Sequence, residues 1–421
     1  MRFSEFLDAE WVPALGCTEP ASMALAAATA AAQAGGPIRS VQVICDPRIY
    51  KNCYAVGIPF SGHKVGSLWA AALGSLAEDP SVGLEVFRQN SPERLAAAGA
   101  LIAGGAVTVD VDSGHQQLWI DCRVERANGI GRAVIAGTHT AVVRIERNGQ
   151  EVLQRAPEDA ASGTSGMRRR VAAMPVAELI GMALSLTDDD RRRLEEGIIL
   201  NLAIARHGET LFPEHFGRNG GDDILSRAAR LVCGGVYARM SGEDFLVMSL
   251  AGSGNKGITT TVPLVLWAEH LGADRRRMLE ALALAALMTS ATTYRLGTLS
   301  AMCGCANAAG IGIAAGRVYL EGGDEGSIAL AVNNMVGNVA GMICDGAKIG
   351  CGMKAMTAVD AAARSAGLAL AGMGIPASDG IVGGSCDESL ANLGRIAQEG
   401  MAGTDDEILT IMRAKLVPAD S

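Results

Sequence analysis

The order in which hydrophobic periods change along the chain constrains its fold more than any other feature. Glu5–Ala34 carries a helical pattern broken once, around Pro13–Pro20, and its second half, Ala21–Gln33, is alanine-rich and suits a buried helix. From Arg39 the pattern turns to short β-rich stretches: Val41–Cys45, Cys53–Pro59, Leu84–Phe87, Ala106–Asp112, Gln117–Val124, Ala133–Ala136 and Thr140–Glu146. Two of the gaps are helical in period, Val65–Leu76 and Pro92–Ala103, and Asn148-Gly149 marks a hairpin turn. Helical patterns resume with Val176–Leu186 and Asp189–Arg206 and continue with few convincing strands. The predicted fold class is α+β. A mostly helical domain is formed by both chain ends (residues 1–36 and 172–421), with an inserted α/β domain (37–156). Residues 157–171 read as a linker, and Arg168–Arg170 within it as a solvated charge run.

Composition narrows the function classes. A chain of 421 residues with 49% apolar and 19% charged residues can bury two sizeable cores and is not disordered. Abundant Ala and Gly with only 4% aromatics implies helices that approach closely, a surface compatible with a homodimer. A net charge of −9, with no basic block interleaved with aromatics, argues against nucleic acid as a partner. The start, MRFSEFLDAEW, has acids and no apolar core of a signal peptide. The longest apolar stretch, Leu279–Met288, is about half of what a bilayer needs, so no membrane partner and a cytoplasmic location are expected. In a reducing compartment ten cysteines are core thiols, catalytic thiols or metal ligands.

Four segments put Gly, Cys and polar residues where a plain bundle would want apolar periodicity. In Gly16-Cys17-Thr18-Glu19-Pro20 a helix starts at Thr18–Pro20 with Cys17 just outside, where the helix dipole would favour the thiolate; a capping turn with an incidental Cys reads equally from spacing. Gly252-Ser253-Gly254-Asn255-Lys256-Gly257-Ile258 has the makings of an anion nest before a helix and is not a Walker loop; Lys256 adds a point charge suited to a carboxylate. The third segment is Cys303-Gly304-Cys305 and the fourth Cys344–Cys351. Zinc-type CxxC spacing is missing. On a helix, residues two apart point roughly 200° from one another, so at most one of Cys303 and Cys305 would face a shared site. Cys344 and Cys351 would lie about 10 Å apart along a continuous helix, unless Gly346 and Gly350 break it. Three thiolates from these two segments could hold an iron–sulfur cluster with one open iron, or all could be small core residues.

Taken together, the motifs resemble the serine dehydratase alpha-chain-like family, and within it the L-cysteine desulfidase branch. The resemblance rests on GCTEP at Cys17, YKN followed by AVGIP across Tyr50–Pro59, GTHT at Gly137–Thr140, YARM at Tyr237–Met240, GSGNKGI, LSAMCGCANAAG, NNMVGN and GMICDGAKIGC, in that order over nearly the whole chain. It implies that the helical domain is catalytic. It also implies a [4Fe-4S] cluster on three cysteines, placed here at Cys303, Cys344 and Cys351, with Cys305 as the alternative to Cys303. Cys17 matches the position of the active-site base, with Thr18 and Glu19 beside it at the substrate. Ser253, Gly254 and Asn255 match a substrate-holding loop. The chain departs from the family at Lys256, where Gln is common, and at Thr293, where a Lys is common.

The implied chemistry is β-elimination: L-cysteine to pyruvate, ammonia and hydrogen sulfide, with no pyridoxal phosphate. Lys51, Asn52 and Arg239 are candidates to hold substrate carboxylate or amino groups, Arg239 through its bidentate fork. His139, within GTHT, is the one histidine with family support as a substrate contact; His63, His115, His207, His215 and His270 receive no role. The rival readings are a serine, threonine or hydroxylated amino acid dehydratase with the same cluster, and a non-catalytic iron–sulfur sensor.

Overall fold

Alanine lets the first long helix come unusually close to the sheet it covers. The computed structural model describes residues 1–115, 117–156, 164–213, 221, 223–297 and 300–415. It is 59% helical and 14% strand, an α+β fold with a mixed sheet. The N-terminal segment forms helix α1 (Phe3–Glu10), strand β1 (Trp11–Leu15) and helix α2 (Thr18–Ala31). A six-stranded sheet follows, with β2 (Ile38–Cys45), β3 (Val107–Val111), β4 (Trp119–Arg126), β5 (Gly129–Ala136), β6 (Val142–Arg147) and β7 (Gln150–Gln154) in the order β3-β2-β4-β5-β6-β7. β2 and β3 are parallel and are connected through α3 (Pro47–Cys53), α4 (Ser67–Ser75) and α5 (Pro92–Ala103); the other pairings are antiparallel. Alternate residues Val41, Val43 and Cys45 of β2 and Ile120, Cys122 and Val124 of β4 are fully buried, and α2 lies against β4 and β5. At Gly131 in β5 a Cβ would sit 1.9 Å from the Ala30 carbonyl oxygen, so only glycine permits this approach.

Two β-rich stretches are not strands. Asp46 accepts from the N–H groups of Arg48 and Ile49 and Pro47 fixes the first turn, so the chain enters α3 and stays helical through Cys53. Leu84–Phe87 falls in a 3-10 helix, Pro80–Gln89, begun by the Asp79 side chain bonding Ser81 N–H.

The remainder is helical: α6 (Thr164–Ala172), α7 (Val176–Leu184), α8 (Asp188–Glu209), α9 (Ile224–Ser241), α10 (Gly254–Leu271), α11 (Arg275–Leu296), α12 (Gly310–Leu320), α13 (Glu325–Val339), α14 (Cys351–Leu370), α15 (Cys386–Arg395) and α16 (Thr404–Ala414). Within it lies one strand, β8 (Leu246–Leu250), paired antiparallel with β1 from Trp11↔Leu250 to Leu15↔Leu246. The break around Pro13 is thus half of a ribbon, with the proline on a strand that has a single partner, where its missing N–H is tolerated. α6 corrects the linker reading for residues 164–171. Arg168 is 4% exposed and its Nε donates to both Glu10 carboxylate oxygens at 3.0 Å, so it is a buried tie and not a solvated charge. Residues 157–163 of that segment lie outside the described residues.

One core joins Phe3, Phe6, Leu7 and Trp11 to the helices beyond residue 166. The second holds α2, the sheet and α4, and reaches Leu409 in α16. Cys17 belongs to the first core and Ala21 to the second, so α2 carries the chain from one to the other, well before residue 36. No helix among the described residues is long and apolar enough to cross a membrane.

Gly131→Ala should therefore destabilise by about 1–3 kcal/mol through overpacking between α2 and β5. Thermal unfolding measures this, with Gly181→Ala in α7, which meets nothing within 4 Å and has no positive φ, as the control. Equal midpoints in the two variants would remove the close approach as a constraint.

Candidate active site

Two helix N-termini are brought to one pocket by a single guanidinium. Arg239, near the end of α9 and 3% exposed, donates through its Nη2 to the Gly16 carbonyl just before α2 and through Nη1 to Asn255 Oδ1 at 2.9 Å in the first turn of α10. Asn255 in turn donates to the Met240 sulfur. A Cβ at Gly254 would lie 2.4 Å from Arg239 Nε, so this glycine lets the guanidinium lie under the loop. Arg239 Nε is buried with no hydrogen-bond partner among the described residues, as is His139 Nε2. Both residues line a cavity of about 130 Å³, about four waters at the ~30 Å³ each takes in the liquid, which is the scale of a small amino acid.

The start of α2 forms one wall. Glu19, buried, accepts from Cys17 Sγ (2.8 Å), Thr18 Oγ1 (3.1 Å) and Asn52 Nδ2 (3.1 Å). Burial opposes its charge, but His139 and the Cys17 and Thr18 donors outweigh that and hold the carboxyl below its usual range. Cys17 moves the other way. Burial first, then the Glu19 charge, push its thiol well above the ordinary value against the pull of Arg239. The helix-start argument for a resting thiolate therefore fails: the dipole effect, about 0.3–1 kcal/mol at exposed sites, is outweighed by burial and an adjacent carboxylate. His139, on the β5–β6 connection, is anchored by Ser22 Oγ donating to its carbonyl (2.7 Å), and burial drives its ring toward the neutral form against Glu19.

The Ser253–Lys256 turn forms the second wall. Ser253 caps α10, and the first N–H groups of a helix have no intrahelical acceptors. Lys256 is not a free point charge. Its Nζ donates to the Ala251 carbonyl (2.7 Å) and to Thr293 Oγ1 (3.1 Å), and burial, then the Arg168 charge, lower it to about 7. The two positions that depart from the family pattern thus touch each other.

The third wall holds thiols. Cys303, Cys305, Cys344 and Cys351 all line the pocket. The two segments are stitched by Cys303 N–H to Met342 O (2.8 Å) and Cys344 N–H to Ala301 O (2.6 Å). Cys303 lies before the helical turn that begins at Cys305, so both thiols of the pair reach the pocket, contrary to the helical-face argument. They hydrogen-bond to each other, which draws Cys303 down and pushes Cys305 up. Residues 344–350 form a turn, with Gly346 at φ +93; Gly350 has ordinary helical angles. Asp345 closes the turn against Lys348 and Lys354. Among the described residues no three His, Cys, Asp or Glu are grouped so as to hold a single metal ion. Cys45, Cys53 and Cys122 are buried in the α/β core, and His215 lies outside the described residues. Asp405, which accepts from Lys51 Nζ, carried no signal in sequence, being one of several acids opening a helix.

Comparison with known proteins agrees with this arrangement of motifs. Residues 147–410 match the family described as serine dehydratase alpha chain. A UPF0597 protein of Geobacter sulfurreducens is 36% identical over 98% of both chains, and one of Oleidesulfovibrio alaskensis 38% identical over 98% of both. One from Clostridium botulinum is 34% identical over 96% of both. Those names state no activity.

If Glu19 raises the Cys17 thiol, Glu19→Gln should move the pH–rate profile of Cys17 alkylation to lower pH, because the repelling charge is gone while burial remains. Mass spectrometry of cluster-free protein after timed iodoacetamide exposure reads this; a profile that stays put or moves to higher pH rejects the assignment.

Proposed function

The chain belongs to the serine dehydratase alpha chain family, and from that premise we propose that it is a [4Fe-4S]-dependent lyase that eliminates the β-substituent of a small amino acid, L-cysteine foremost. The observation that carries this reading is that four thiols from two stitched segments line the same small cavity as two buried unpartnered nitrogens and a helix N-terminus. A cluster takes its ligands on separate corners, so thiolates from two segments can hold it without meeting at one point. Cys344, Cys351 and Cys303 or Cys305 would hold it. When bound, the open iron supplies a Lewis acid for the leaving group.

The chain's own groups supply the rest. The first turn of α10 and the Arg239 guanidinium favour a carboxylate. The α-proton goes to His139 Nε2, which is unpartnered beside a ring kept neutral by burial. Glu19, ionised next to it, stabilises the imidazolium that forms. Cys17, protonated at rest, is the weaker acceptor and orients Glu19. As the C–H pair forms the C=C bond, the Cβ–S bond breaks and its electrons leave on sulfur, which departs as hydrosulfide. The enamine tautomerises to an imine, and water hydrolyses it to pyruvate and ammonia. The same steps with hydroxide as leaving group give a serine dehydratase, a second reading that the family's description favours.

Anaerobically purified protein should be brown, hold about four irons per chain and lose them in Cys344→Ser. It should release pyruvate from cysteine and, more slowly, from serine. His139→Asn should lower kcat by about 10²–10⁴ with KM little changed. A colourless, iron-free protein after anaerobic reconstitution would sink the cluster reading. Turnover of serine alone would move the assignment to the dehydratase.

A further inference from the structure

The C-terminal helix reaches the thiol-bearing turn through one buried lysine. α16 leaves the helical body and packs on α3 in the other lobe, with Leu409 buried in the α/β core and Tyr54 Oη donating to the Met412 carbonyl at 3.2 Å. In its first turn Asp405 accepts from Lys51 Nζ, and Arg48 Nε lies 3.9 Å from its other oxygen. Lys51, 2% exposed, also donates to the Cys344 carbonyl at 2.9 Å. The backbone of the same lysine meets the next part of the turn: a Cβ at Gly346 would lie 2.1 Å from the Lys51 carbonyl oxygen. α3 therefore grips residues 344–346 twice, once by an ammonium and once by close backbone contact.

A buried ammonium keeps its position only while its charge is balanced. The Cys344 carbonyl is neutral and cannot do this; Asp405 can. We propose that Asp405 is a positioning residue for Cys344, acting through Lys51, so that the C-terminal helix is part of the thiol site and Lys51 is a tie within it and not a substrate ligand. The consequence for catalysis rests on the cluster reading above; the tie itself does not.

Amide hydrogen exchange on full-length, cluster-free protein tests the tie, because the Cys344 N–H bond to Ala301 reports on the turn directly. Asp405→Asn and Lys51→Met should each accelerate exchange across residues 340–352 by about tenfold or more, with α8 unchanged, as expected when a buried pair loses one member. Asp405→Glu, which keeps the charge, should stay closer to wild type. In anaerobically reconstituted protein the first two variants should also surrender iron to a chelator faster. Wild-type exchange in Asp405→Asn overturns the proposal, and so does equal acceleration in α8, which would mean general loosening. Local acceleration in a protein that never takes up iron would uphold the tie and reject the cluster reading.

Discussion

Everything at the site depends on a buried guanidinium that ties together two helix starts. Arg239 is bonded to the Gly16 carbonyl and the Asn255 side chain, and among the described residues no carboxylate lies within ion-pair distance of it. Its charge is therefore undiminished at a place where the positive ends of α2 and α10 also converge. Such a cavity favours an anion, and Glu19 stands ionised within it by virtue of its own donors. A neutral imidazole and a protonated thiol can share one wall because burial sets the charge state of each, while the Glu19 carboxylate raises the proton affinity of both.

Much of this was legible in the sequence. α5 runs over Pro92–Ala103, the range its period indicated, and five of the β-rich stretches became β2–β6. The motifs GCTEP, GSGNKGI, CGC and CDGAKIGC all contribute to one cavity. The β1–β8 ribbon was not legible, because the partner of a strand carrying Pro13 lies more than two hundred residues away and neither half alternates strongly. α6 was hidden by a polar, glycine-containing stretch whose one buried arginine is explained only by Glu10 in α1. The 53–59 stretch misled because its apolar and aromatic residues read as a strand, whereas Cys53 ends α3 and the chain then turns, with a single bridge from Gly57 to Val65.

Charge states were the least legible property. Cys17 and Lys256 each had a sound local argument, a helix dipole in one case and an exposed loop cation in the other. Burial, a tertiary quantity, reverses the first and weakens the second. The contact between Lys256 and Thr293 has the same origin. Their separate departures from the family pattern, 37 residues apart, become one coordinated arrangement once α10 and α11 are packed together.

The two-stranded ribbon also sets a schedule for biosynthesis. β1 is made first, yet its partner β8 emerges from the ribosome about 230 residues later, roughly 10–50 s at ordinary elongation rates. Until Gly197 is made, 186 residues later, Trp11 lacks the helix surface it ends packed against. Any group fitted to these thiols could be installed only after translation has passed Cys351, about 100 residues beyond β8.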